Sequence, residues 1–113
     1  MKIGHIELFV KDTKKSMEFY CEKLGFEHVS DQGEFQWIKS GSTEILLRPG
    51  GANKTATYED SSHGIVIYSD DLEKVSKQLK AKGVVFEDID MGGRCLYFTD
   101  PDGHWYQLVD PNH

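Results

Sequence analysis

The chain has 113 residues, a formal charge of −6, 38% hydrophobic and 28% charged residues, the profile of one ordered globular domain. No apolar run approaches the roughly 20 residues of a membrane span, and an acidic balance without a Lys/Arg cluster argues against nucleic acid and anionic membranes as partners. Two cysteines make neither a disulfide framework nor a zinc cluster.

Ile6, Leu8 and Val10 alternate with His5, Glu7 and Phe9, which predicts a half-buried strand. The N-terminus enters this strand with no signal-peptide core, so a cytoplasmic protein is expected. Asp12 stands at an N-cap position, Met17, Tyr20, Cys21 and Leu24 follow at helical spacing, and Gly25 supplies the stop. Strands are predicted at 26–30, 34–39 and 43–48, separated by turn residues at 31–33 and 40–42. A polar connection comes next, and then the pattern restarts. Residues 63–68 form a strand, Asp70 or Asp71 caps a helix with the stripe Leu72, Val75, Leu79, and Gly83 ends it. Strands at 84–89, 94–99 and 105–109 close the chain.

Asp12 to Gly25 and Asp70 to Gly83 are each 13 positions, an internal duplication of a β-α-β-β-β unit. The expected organisation is one domain with module one at 1–48, a linker at 49–62 and module two at 63–113. One helix covers only one face of a four-stranded sheet. The predicted fold is therefore α+β, with paired βαβββ modules forming a curved mixed sheet around a cavity. A homodimer is expected to complete it.

The paired units, the opening His5-Ile6-Glu7-Leu8-Phe9-Val10-Lys11-Asp12 and the helix end Phe19-Tyr20-Cys21-Glu22-Lys23-Leu24-Gly25-Phe26 resemble the vicinal oxygen chelate superfamily. That superfamily holds glyoxalase I, fosfomycin-inactivating thiol transferases, extradiol dioxygenases and bleomycin-resistance proteins. Thr99-Asp100-Pro101-Asp102-Gly103-His104 is similar to the turn before its last strand. The resemblance implies metal ligands on the first and last strands of each module. A register of 58 residues makes His5 and His63 equivalent. Gln107 stands where the family usually has glutamate, and Leu46 takes the corresponding place in module one.

Two imidazoles suit Zn, Ni, Mn or Fe as divalent ions, and Gln107 offers an amide oxygen. Leu46 offers no lone pair, and Glu44 or Glu7 is the candidate fourth ligand or general base. Phe9, Phe35, Trp37, Leu46, Arg48 and Trp105 are the candidate ligand-binding residues. Aromatic walls with a few polar anchors suit a flat organic molecule or a cation, and the negative charge favours basic ligands. Two functions are compatible with this set. One is a divalent-metal-dependent enzyme of lyase, thiol-transferase or dioxygenase type, acting on a small organic substrate. The other is a metal-free small-molecule binding protein with a degenerate metal site.

Asp100-Pro101-Asp102-Gly103 reads as a structural β-turn. Cys21 reads as a small buried hydrophobe, Cys95 as a strand residue beside Arg94, and His28, His104 and His113 as exposed.

Overall fold

Asp12 starts the first helix as its residue type predicts, its side chain accepting a hydrogen bond from the Lys15 amide at 3.1 Å. A computed structural model describes residues 1–90 and 95–112, the side chains of 88–90 excepted. The expectations for Arg94 and His113 lie outside those residues. Contacts divide the chain into Met1–Ala52 and Asn53–His113, so residues 53–62, read above as linker, belong to the second unit.

In the first unit β1 (Ile6–Val10) leads to α1 (Thr13–Glu18), which continues as a π-helical segment (Phe19–Lys23). Then come β2 (Glu27–Gln32), β3 (Phe35–Ser40) and β4 (Thr43–Pro49). The sheet order is β1-β4-β3-β2, with β1 parallel to β4 and the other pairs antiparallel. Side chains alternate across a strand. Leu8, Val10, Ile38, Ile45 and Leu47 share one face, buried together with Tyr20, and α1 packs on β3 and β4. Gln36 is also fully buried on that face. It donates to Asp31 Oδ1 and to the Gly33 carbonyl, both at 2.8 Å, and lies 2.9 Å from His28 Nε2. A buried amide so fully partnered costs little, and it holds the β2–β3 hairpin shut.

The second unit runs β5 (Ile65–Tyr68), α2 (Leu72–Ala81), β6 (Asp88–Asp90), β7 (Cys95–Thr99) and β8 (Trp105–Val109), in sheet order β5-β8-β7-β6. The fold is α+β, built from two βαβββ modules. Leu96, Phe98, Tyr106 and Leu108 form the buried face, with Phe98 stacked on Tyr106 at 5.4 Å and met edge-on by Phe86. The strand expected over 84–89 is shorter, because the Gly83 and Val84 amides close the end of α2 on the Lys80 and Leu79 carbonyls. Among the described residues no helix is long and apolar enough to cross a membrane.

The N-cap of α2 is Asp71, which accepts from the Lys74 amide at 3.1 Å, and not Asp70. The caps Asp12 and Asp71 are thus 59 residues apart, whereas the helix-ending glycines at positive φ, Gly25 and Gly83, are 58 apart. The π-helical segment accounts for the difference. Its wider turn takes up one extra residue in the first helix without disturbing the strands after it.

Candidate functional site

The face of the first sheet opposite α1 gathers most of the sequence-predicted site residues. Strand pairing sets Glu7 beside Leu46, Leu46 beside Trp37, and Phe9 beside Arg48. Glu7 is the hinge of a polar chain. One carboxylate oxygen lies 2.8 Å from His5 Nε2, and the other accepts from Arg48 Nη1 at 3.0 Å. The His5 and Arg48 hydrogen bonds hold its carboxyl below the usual range. The Arg48 guanidinium lies over the rings of Phe9 and Phe35 at 5.5 and 5.3 Å, and His5 meets Trp37 edge-on at 4.8 Å. The Nε atom of Arg48 is buried without a hydrogen-bond partner. Phe9 and Phe35 remain exposed, and Leu46 is buried. Glu44 pairs with Lys39 on β3 and is exposed on this same face. Elsewhere in the unit an open groove of about 460 Å³ lies between Lys11–Lys14, Gly33–Glu34 and Pro49, and none of the predicted site residues lines it.

In the second unit Gln107 is flanked by Val66 on β5 and Tyr97 on β7, and its amide donates to the Tyr97 hydroxyl at 3.3 Å. Trp105, expected as an open wall, is 5% exposed. Residues 53–62 cover it. Its indole N–H donates to Thr55 Oγ1 at 2.9 Å, Tyr58 meets its ring edge-on, and Lys54 lies over it. Polar composition gave no hint that this connection packs. Cys95 is buried in the same cluster as Tyr97 and Trp105, while Cys21 is half-buried, where burial pushes its thiol up.

His104 was expected to be exposed, yet its ring is 10% exposed and Nδ1 lies 2.7 Å from Asp100 Oδ2. Asp100 also accepts from the backbone amides of Asp102 and His104, so the turn is structural as read, with the imidazole built into it. His28 is exposed, its ring bonded to Gln36.

The strand pairs match the two modules position by position. Ile6 pairs with Ile45, and Ile65 with Tyr106. Counting from these pairs and from the N-caps, Leu46 and Gln107 are equivalent. Residue 64, not 63, is the counterpart of His5. His63 precedes β5, its side chain is exposed and Nδ1 lies 3.1 Å from Ser62 Oγ. The expected equivalence of His5 and His63 is therefore off by one residue, the residue absorbed by the π-helical segment.

The family model of the Glyoxalase/Bleomycin resistance protein/Dioxygenase superfamily matches residues 2–108. The chain belongs to this superfamily. YurT of Bacillus subtilis is 35% identical over 125 residues, covering 96% of this chain and 98% of that protein. Glutathione transferase FosA of Serratia marcescens is 26% identical over 110 residues, covering 94% of this chain and 78% of that protein. Among solved structures, fosfomycin resistance protein FosX of Listeria monocytogenes, complexed with Mn(II) and sulfate, superposes with a TM-score of 0.80. It is 23% identical and covers 96% of this chain and 89% of that one. That likeness is one of fold.

A divalent ion in this superfamily needs donors with charge to offset its own. Among the described residues no three His, Cys, Asp or Glu side chains are grouped to hold one. Gln107 is neutral and its equivalent is Leu46; Glu7 is already committed to His5 and Arg48. Among the described residues, neither module carries a metal set of its own.

Proposed function

We propose that this chain binds a small planar organic molecule bearing an oxygen function, on the β1–β4–β3 face of the first module, and needs no divalent metal to do so. Arg48 carries this reading. Its guanidinium is spread over Phe9 and Phe35 and tied to Glu7, while its buried Nε has no partner. The Arg48 side chain is 38% exposed, so a ligand oxygen can accept from its outer N–H groups beside Glu7. The cation–π places of Phe9 and Phe35 are already taken by Arg48. A cationic ligand would compete with it, so the preference shifts from basic ligands to neutral or anionic ones. Calorimetric titration with cinnamate, a planar aromatic carboxylate, in EDTA tests the reading. Saturable binding weakened about tenfold or more by Arg48→Ala supports it, and equal binding by that variant contradicts it.

The second reading keeps the metal. The Mn(II) held in the FosX structure it superposes on favours it, and His5, His63 and Gln107 are its ligands, with Glu44 or Glu7 as the added carboxylate or general base. The ion, of Zn, Ni, Mn or Fe type, would polarise the substrate oxygens of a lyase, thiol-transferase or dioxygenase reaction. On this reading Mn²⁺ at a hundredfold excess over its Kd raises stability by about 2.7 kcal/mol, His5→Ala abolishes the gain and Leu46→Glu enlarges it. Unchanged melting with Mn²⁺, Zn²⁺, Ni²⁺ and Fe²⁺ excludes it.

Both readings include a homodimer. Phe9, Phe35, Val66 and Tyr68 are exposed apolar side chains on the sheet faces, and such surface is commonly covered in a C2 pair. Light scattering returning a monomer mass at micromolar concentration contradicts it. A cytoplasmic location is part of the proposal, supported by Cys21 and Cys95 both being free thiols.

A further inference from the structure

Glu7 decides which nitrogen of His5 carries the proton. Its carboxyl is held below the usual range and is ionised, and a carboxylate only accepts hydrogen bonds. The His5 Nε2 atom, 2.8 Å from Glu7 Oε2, must therefore donate. In a neutral imidazole the other nitrogen, Nδ1, is then a bare acceptor. Among the described residues it has no hydrogen-bond partner, and the side chain is 36% exposed. Trp37 meets the same ring edge-on at 4.8 Å, so the imidazole is held from two sides.

The other end of Glu7 holds the opposite chemistry. Its Oε1 accepts from Arg48 Nη1 at 3.0 Å, and a guanidinium has donors and no acceptor. The face thus offers a ligand two unlike polar ends, a cationic donor at Arg48 and a neutral acceptor at His5, with Glu7 between them. Around them it is apolar. Phe9 and Phe35 are exposed, and Leu46, the strand neighbour of both Glu7 and Trp37, is buried. All of these residues belong to the unit Met1–Ala52. A plain carboxylate satisfies Arg48 and gives Nδ1 nothing to accept.

We infer that His5 is a specificity-determining residue of this face, its Nδ1 accepting a hydrogen bond from a hydroxyl or N–H group of the ligand. The ligand is then a planar acid that also carries such a donor. This inference rests on the small-molecule reading above and narrows its ligand class. If the His5–Glu7 pair served only to hold the start of β1, a donor on the ligand would gain nothing.

Its test is calorimetric titration of the full chain in EDTA, at about pH 8, where imidazoles carry one ring proton. Cinnamate is compared with its ortho-, meta- and para-hydroxy derivatives and with the corresponding methoxy compounds. At least one hydroxycinnamate should bind the native protein about fivefold more tightly than cinnamate, the gain expected for one hydrogen bond. The matching methoxy compound keeps the oxygen and loses the donor, so the gain should vanish. His5→Phe keeps a ring against Trp37 and removes both nitrogens. In that variant the ratio of hydroxycinnamate to cinnamate affinity should fall to within about twofold, and a ratio divides out any general loss of affinity for acids. The inference is overturned if every hydroxycinnamate binds the native protein within about twofold of cinnamate, if the methoxy compound matches its hydroxy parent, or if the ratio survives in His5→Phe. Each of these leaves the small-molecule reading standing. Absence of binding by cinnamate and by every hydroxycinnamate overturns both.

Discussion

His104 shows how a single side chain changes its role once its neighbours are known. Burial alone would push its imidazole down, but the hydrogen bond to Asp100 and the charges of Asp100 and Asp102 outweigh it, and the net shift is upward from about 6.5. A group raised in the folded state contributes stability that is fully present below its unfolded value and is lost as pH rises through its folded value. The native protein should therefore exceed His104→Gln in melting temperature most near pH 6 and below. The gap should narrow as pH rises through the raised value of His104; a gap that widens instead contradicts the pair. Asp100→Ala should be worse than His104→Gln, costing about 3 kcal/mol or more in denaturant melts, since it strips a buried carboxylate from three donors at once. The sequence pattern names this turn correctly but misses the imidazole, because a buried partner four residues away leaves no mark on composition. Trp105 is missed for a related reason. Its parity with Gln107 is readable, while the packing of Thr55 and Tyr58 against it depends on a polar stretch that reads as solvent-exposed.

At the scale of elements, caps and strand pairs are legible and the π-helical segment is not. Asp12 and Asp71 each accept from the amide three residues on, so Asp12→Ala and Asp71→Ala should each cost about 1 kcal/mol. Asp70→Ala should cost close to nothing; a loss equal to that of Asp71→Ala would show that the cap is misassigned. Alternation places Glu7, Phe9, Leu46 and Arg48 on one face, and pairing of β3 with β4 adds Trp37 and Phe35 to it. Parity within one strand does not say which side β3 turns. The repeat register rests on its glycine ends, and an extra residue held inside a helix shifts everything upstream by one. That shift moves His63 onto the place of Gly64. Deleting one residue from Phe19–Lys23, for instance Cys21, should convert the segment to α-helix. Tyr20, now fully buried, or the residues after it must then move, lowering stability by about 2 kcal/mol or more.

For the whole molecule, the duplication and the superfamily are readable from the chain, and the chemistry is not, because function resides in a handful of side chains grafted on a shared fold. The central claim is that the Arg48 face of the first module takes a planar, oxygen-bearing molecule without metal. The most direct measurement is calorimetric titration of cinnamate into the native protein and into Arg48→Ala, each in EDTA and again with Mn²⁺. The account predicts saturable binding in EDTA, unchanged by Mn²⁺ and weakened at least about tenfold by Arg48→Ala. Binding that appears only with Mn²⁺ and survives Arg48→Ala would contradict it.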